Sequence, residues 1–235
     1  MTTAAIAEEW RSLTRGDSGR IAGWLEEAGS RRLALSIATI ILGCGVYGAT
    51  IGLWHGPLMA LYVGIKLPLI IFITLAINGL LNGMLAQLLG SGLSFRQTMQ
   101  AILMSFTVFS LIVGSLAPLT FFMVWTVPPP ESAEGAASHS TLLLTHTFLI
   151  AFAGIIATQK LFGILRSFAG NFGAAFRTLI AWLAGNLFAG AQISYLLRPI
   201  FGTPGLEVQF LRWGSITQGN FYESVWWALR ATFAG

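Results

Sequence analysis

The sequence predicts an all-α, polytopic transmembrane bundle of five spans, with amphipathic helices at the membrane interface near both termini. Composition is the first observation, since 55% of the residues are hydrophobic and 9% are charged, whereas a soluble domain carries roughly 25% charged residues. Distribution is the second, because charges are rare between residues 33 and 206 and lie mostly at the ends of apolar runs. A charge at the centre of a span costs at least ~2.5 kcal/mol, so this spacing fits helices that cross a bilayer.

Five apolar segments have the length of about 20 residues that a crossing needs. Arg31 and Arg32 precede the first segment, and Pro118 predicts a kink near the end of the third. Lys66 interrupts the long apolar run after Pro57, so we assign the part before it to the interface and expect its side chain to snorkel to the headgroups. The predicted spans are residues 33–53, 67–89, 98–127, 142–165 and 178–197.

A re-entrant hairpin over residues 57–89 and a sixth span over residues 221–233 are the alternatives to this count. Residues 221–233 are too short for a crossing, and Glu223 and Arg230 interrupt them. We therefore expect residues 198–235 to form an interfacial tail outside the cytoplasm. Its aromatic side chains at the headgroups are Phe221, Tyr222, Trp226 and Trp227.

The N-terminal segment, residues 1–32, is polar and contains no apolar core of a secretory signal. We expect it to be cytoplasmic, with short amphipathic helices over residues 4–10 and 21–28. The side chains that would rest on the headgroup boundary are Trp10, Ile21, Trp24 and Leu25.

The flanking charges predict the orientation. Basic residues gather on one side of the predicted spans, at Arg31, Arg32, Arg96, Lys160, Arg166 and Arg177, whereas the polar loop after residue 127 carries Glu131 and Glu134. Because cytoplasmic loops are enriched in lysine and arginine, the N-terminus is predicted inside and the C-terminus outside. The net charge is only +4 and the basic residues are dispersed, so we expect membrane lipids and no nucleic acid as partners.

Small and amide residues on the predicted spans are candidates for helix packing or for a polar pathway. Asn78 and Asn82 lie four residues apart and alternate with Gly79 and Gly83, which places two amides beside a GxxxG groove. Small residues let helix backbones approach, and amides bond across the contact. Packing within the chain, homo-oligomerisation and a polar pathway are all open. The full set is Gly48, Gly52, Asn78, Gly79, Asn82, Gly83, Gly185, Asn186 and Gln192.

Histidines and cations form the other candidate sites. His55, His139 and His146 are all predicted in the outer half of the bundle, where imidazoles at one depth could bind a metal, a haem or a chlorophyll-type pigment, or could simply be interfacial. Lys66 and Arg198 are candidates for contact with lipid headgroups or an anion. The predicted spans contain no acid, so a carboxylate proton relay is excluded.

The motifs of common enzyme classes are absent from the sequence, which contains no GxSxG elbow, HExxH helix, P-loop or dinucleotide fingerprint. The single cysteine, Cys44, excludes an internal disulfide and a CxxC motif. We therefore expect a non-enzymatic protein without a cofactor.

Two short segments have recognisable motifs. One is Trp54, His55, Gly56 and Pro57 before an apolar run, and the other is the glycine-rich turn of residues 89–97, Leu-Gly-Ser-Gly-Leu-Ser-Phe-Arg-Gln. Both resemble segments of bacterial members of the Yip domain family. The resemblance covers residues 54–197 and implies a non-enzymatic five-span protein of the bacterial inner membrane. Eukaryotic members of that family act in vesicle trafficking and membrane shaping with small GTPases, and no catalytic residue is implied here.

Three functional hypotheses follow. The first is a non-catalytic scaffold or accessory subunit of a membrane complex, which acts as a homo-oligomer or with other membrane subunits. The second is a small channel or transporter with a polar pathway at Asn78, Asn82, Asn186 and Gln192. The third is a subunit that binds a cofactor or pigment through the outer histidines.

Overall fold

The computed structural model describes residues 3–15, 18–26, 29–202, 204–212 and 219–233, and these residues form an all-α bundle without strands. The helices are α1 (Thr3–Arg15), α2 (Ser18–Glu26), α3 (Ser30–Gly52), α4 (Pro57–Leu88), α5 (Phe95–Ser115), α6 (Ala117–Thr126), α7 (Gly135–Phe168), α8 (Phe172–Leu196) and α9 (Phe221–Phe233). A short 3₁₀ turn, Leu53–His55, joins α3 to α4.

Five of these helices are long and apolar enough to cross a membrane, namely α3, α4, α5, α7 and α8. The chain is therefore a multi-pass membrane protein, as the composition predicts. The spanning helices pack in a fixed order: α3 lies against α4 and α5, α5 against α7, α7 against α8, and α8 against α4. The helices α4, α5, α7 and α8 thus form a ring, and α3 covers the edge between α4 and α5.

The two ends of the bundle differ in chemistry. The "arginine end" carries the basic residues that flank the spans, Arg31, Arg32, Arg96, Lys160, Arg166 and Arg177. The "histidine end" carries the Leu53–His55 turn, the start of α7 and the segment of residues 197–212 that follows α8.

At the arginine end, the turn between α4 and α5 shows how local sequence shapes the fold. Gly92 has a φ of +73°, and a side chain there would collide with the backbone carbonyl of Phe168. The next helix then begins with a capping box, because the Ser94 hydroxyl accepts a hydrogen bond from the Gln97 amide while the Gln97 side chain accepts one from the Ser94 amide.

Three boundaries differ from the predicted ones. Helix α4 is continuous from Pro57 and does not divide at Lys66, whose ammonium donates a hydrogen bond inside the protein to the carbonyl of Pro199. Helix α7 already begins at Gly135, so His139 lies on a helix and not in a loop. The kink predicted at Pro118 takes the form of a break at Leu116 between α5 and α6, with the proline in the first turn of α6.

The N-terminal helices exist, but their apolar side chains do not all face the membrane surface. Ile21 and Leu25 of α2 are buried in the main core with residues of α5 and α7, so their predicted contact with headgroups is wrong. The Lys160 ammonium of α7 donates a hydrogen bond to the carbonyl of Arg15 and ties α1 to the bundle. Residues 27 and 28, the end of the predicted second helix, lie outside the described residues.

The C-terminal helix α9 occupies the predicted range and packs against α7 and α8. The Tyr222 hydroxyl donates a hydrogen bond to the carbonyl of Leu187, within α8. Trp226 and Trp227 remain exposed, and the Arg230 guanidinium lies over both indole rings.

Candidate functional site

A buried polar stripe runs along α4. We define the "α4 stripe" as Lys66, Ile70, Thr74, Asn78 and Asn82, five side chains spaced four residues apart. Side chains four residues apart are neighbours on a helix surface, so the row winds around the helix by about 40° per step. All five are buried, with exposed fractions from 0% to 7%. From Lys66 to Asn82 the stripe covers about 24 Å of helix axis, which approaches the hydrocarbon thickness of about 30 Å.

The part of the stripe from Thr74 to Asn82 faces α8, and the two helices are antiparallel. Thr74 lies beside Gly190, and Asn78 and Asn82 lie beside Gly185, where a side chain carbon would be 3.5 Å and 3.7 Å from the two amide oxygens. Glycine on α8 thus provides the space that the polar side chains of α4 occupy.

Two hydrogen bonds tie α8 to Asn82. The Asn82 amide donates a hydrogen bond of 3.5 Å to the Asn186 side chain. The Trp182 indole donates one of 3.1 Å to the carbonyl of Asn82. These contacts place the Asn82 end of the stripe directly against α8.

Several polar atoms of this interface have no hydrogen-bond partner among the described residues. They are the hydroxyl oxygen of Thr74, the amide nitrogen of Asn78 and the amide oxygen of Asn82. A buried polar group without a partner costs about 1–3 kcal/mol. Three such atoms lie together at this interface, so the stripe is a candidate for contact with a polar species that enters the membrane.

Lys66 lies at the end of the stripe nearest the histidine end and is completely buried. Its Nζ donates a hydrogen bond of 2.8 Å to the carbonyl of Pro199 and lies 5.0 Å from the centre of the Phe210 ring. No carboxylate lies within 4.0 Å of this ammonium in the part of the chain that the structure describes. Lys66 therefore does not extend to the lipid headgroups as predicted.

Two arginines, Arg198 and Arg212, lie on the segment that follows α8. The Arg198 guanidinium stacks on the Tyr195 ring at 3.7 Å and donates to the carbonyl of Tyr195. Burial lowers the pKa of the Arg212 guanidinium, and the neighbouring Arg198 lowers it further. Arg212 also interacts electrostatically with Lys66 and His139. Arg212 thus adds a second positive charge near Lys66, at one end of the α4 stripe.

All three histidines of the chain contact the same short segment after α8. The rings of His139 and His146 lie 6.2 Å and 5.4 Å from the Phe201 ring, and His55 is so close to Gly202 that a side chain there would collide with its ring. His146 also shares a 2.9 Å hydrogen bond with the Tyr47 hydroxyl, while its Nε2 has no partner among the described residues.

This arrangement surrounds Phe201 without forming a ligand set. No group of three or more His, Cys, Asp or Glu side chains within the described ranges is placed to hold a metal ion. Binding of a metal, haem or chlorophyll-type pigment by these histidines stays a prediction.

The candidate glycines pack helices of this chain against each other. Gly48 and Gly52 of α3 meet the backbone of α4 at Val63 and Met59. Gly79 and Gly83 of α4 receive the side chains of Met99 and Phe95 from α5.

Sequence reasoning found Asn78, Asn82, Gly185 and Asn186 of this site but missed Thr74 and Trp182. The spacing of four residues from Lys66 to Asn82 is the signal that could have identified Thr74. Gln192, which was predicted beside the asparagines, is half-buried and takes no part in the hydrogen bonds of the stripe.

No protein-family model, curated protein or solved structure matches the chain. The resemblance to the Yip domain family, like the expectation of a non-enzymatic protein, therefore stays a prediction.

Proposed function

We propose that this protein carries a small polar solute across the membrane along the α4 stripe, between α4 and α8. The observation that supports the proposal is the row of buried polar atoms at Thr74, Asn78 and Asn82 that have no hydrogen-bond partner among the described residues. In the bilayer such groups are expensive, and polar residues that face the interior of a bundle mark solute pathways. A passing solute would supply the hydrogen bonds that the helices leave open.

The two helices are in contact along the stripe, so passage requires them to separate. Helix α4 contains a structural reason for such movement. Pro68 lies inside the helix and has no N–H, so the carbonyl of Gly64 loses its usual helical partner. A weak point in α4 next to Lys66 supports opening at the histidine end.

The experiment is a flux measurement on the full chain reconstituted into liposomes. Glycerol and urea are followed by light scattering after osmotic shock, and chloride by an anion-sensitive dye. We expect flux of at least one of these solutes above that of empty liposomes. Replacement of the bridging amide in Asn82→Leu should lower the flux about tenfold, the factor that corresponds to ~1.4 kcal/mol.

The control is Ser110→Ala, which changes a buried side chain that bonds Cys44 on α3, away from the stripe. Its flux should equal that of the unmodified protein. If no solute passes, or if Asn82→Leu conducts like the unmodified protein, the proposed pathway is contradicted.

A second candidate is the accessory subunit of a membrane complex. It is favoured by α8, of whose apolar window only 17% is buried inside the chain, against 50% for α5. A partner helix or a second copy of this chain would cover that face. Mass measurement of the protein purified in mild detergent tests this candidate, because a monomer without companions would contradict it.

We also propose the bacterial inner membrane as the location, with the N-terminus in the cytoplasm and the C-terminus outside. The basic residues at the arginine end support this orientation, and the resemblance to bacterial Yip-domain proteins supports the compartment. A cysteine introduced near Gly235 should react with an impermeant reagent on intact cells. Reaction only after lysis would contradict the proposed orientation.

A further inference from the structure

Lys66 is a fully buried cation whose charge is not balanced by the described residues around it. Its exposed fraction is 0%, and its contacts are the carbonyl of Pro199 and the face of the Phe210 ring. Both are neutral groups. An ammonium buried in this way is costly unless an anion accompanies it, and it has donors to spare after a single hydrogen bond.

No carboxylate of the described residues lies within 4.0 Å of this ammonium. Glu207 is the only acidic residue between positions 197 and 219, and its side chain is exposed. A second cation lies nearby, since Arg212 interacts electrostatically with Lys66. Two cations close together favour a negatively charged ligand.

We propose that Lys66 Nζ, assisted by Arg212, binds a small monovalent inorganic anion of the size of chloride or nitrate. The carbonyl of Pro199 holds the ammonium when the site is empty, and the anion replaces it with a stronger, charge-assisted interaction. A lipid phosphate carries the same charge, but a completely buried ammonium suits a ligand small enough to be enclosed.

Because the proposed anion site lies at one end of the α4 stripe, we infer that the solute of the proposed pathway is an anion. From Lys66, the α4 stripe leads into the membrane through the hydroxyl of Thr74 and the amide nitrogen of Asn78, neither of which has a partner among the described residues. Both groups donate hydrogen bonds, as an anion requires, and the stripe contains no carboxylate that would repel it. The step from binding to passage rests on the proposed function, whereas binding itself does not.

The experiment measures anion binding by the full chain in nanodiscs of phosphatidylcholine. Thermal unfolding is followed in sodium chloride, sodium nitrate and sodium gluconate at equal ionic strength. We expect chloride and nitrate to raise the Tm relative to gluconate, with saturation, because a ligand that binds the folded state stabilises it. In Lys66→Met the shift should disappear, and in Arg212→Gln the apparent Kd should rise several-fold.

Lys160→Met is the matched control. The Lys160 ammonium also donates to a backbone carbonyl, that of Arg15, but at the opposite end of the bundle. This variant should keep the full anion shift. Should Lys66→Met fail to fold, Arg212→Gln carries the same test, since this residue lies outside the spanning helices.

Equal anion shifts in Lys66→Met and the unmodified protein would overturn the proposal, as would the absence of any difference between chloride and gluconate. A shift that appears only in phosphatidylglycerol nanodiscs and ignores the salt would assign the cation to a lipid headgroup and also overturn it. If the protein binds the anion but shows no flux, the anion site is retained and the solute pathway is rejected. If the protein conducts glycerol but binds no anion, the solute pathway is retained and the anion site is rejected.

Discussion

Helix α4 packs against α3 on one face and against α8 on another, and the two interfaces are built from different chemistry. Toward α3, Gly48 and Gly52 bring the two backbones together, and a methyl group on Gly48 would lie 2.5 Å from the carbonyl oxygen of Val63. Toward α8, the amide and hydroxyl side chains of the α4 stripe fill the space beside Gly185 and Gly190. Glycines occur in both interfaces, so small residues alone do not distinguish a structural contact from a functional one.

The hydrogen bonding of the polar groups differs between the two sides of the bundle. Polar groups of α3 are paired with other helices, since the Thr50 hydroxyl bonds that of Thr120 on α6 at 2.6 Å and Cys44 contacts the Ser110 hydroxyl of α5 at 3.2 Å. On the side of α8, polar atoms of Thr74, Asn78 and Asn82 have no partner among the described residues. The α3 side therefore gives stability, and the α8 side retains unmet hydrogen-bonding capacity.

The largest stability effect is expected from Gly48→Ala. Its new methyl group would meet backbone atoms of Val63, which cannot move without shifting α4, so we expect a loss of about 1–3 kcal/mol in the free energy of unfolding. Gly154→Ala on α7 is the matched control, since nothing lies within 4 Å of the added carbon. It should stabilise the protein by ~0.5–1 kcal/mol through helix propensity. Unfolding in detergent measures both, and effects of the same sign would contradict the account of this interface.

A smaller effect is expected from Thr74→Val, compared with Thr107→Val. Both threonines are buried, but the Thr107 hydroxyl donates to the carbonyl of Leu103, whereas that of Thr74 has no partner among the described residues. Thr74→Val should therefore raise the free energy of unfolding by about 1 kcal/mol, because it removes an unsatisfied buried group.

The same pair separates stability from function. Thr74→Val should lower solute flux in liposomes about threefold, by removing a hydrogen-bonding group worth ~0.6 kcal/mol from the pathway. Thr107→Val should conduct like the unmodified protein. A Thr74→Val protein that is less stable, or one that conducts normally, would place Thr74 in ordinary packing.

The spanning helices were predictable because each is a long apolar run, a property of local sequence. Asn78 and Asn82 were predictable from their spacing on one helix. The role of Lys66 was not, because a lysine within an apolar run is expected to mark the membrane interface. Its true partner, the carbonyl of Pro199, lies 133 residues further along the chain.

The contacts at the histidine end were likewise not predictable from the sequence. The sequence placed His55, His139 and His146 toward one side of the membrane. It could not show that they meet Phe201 and Gly202, since that contact depends on the chain folding back after α8.

Locking each face of the bundle in turn tests the central claim most directly. Thr74→Cys with Gly190→Cys, in a Cys44→Ala background, joins α4 to α8, because a side chain carbon at position 190 would lie 3.9 Å from the Thr74 hydroxyl. Ser110→Cys, with the native Cys44, joins α3 to α5 in the same way. Solute flux is measured before and after oxidation and again after reduction. The account predicts that oxidation abolishes flux reversibly in the α4–α8 pair and leaves it unchanged in the α3–α5 pair, whereas undiminished flux through the locked α4–α8 pair would contradict it.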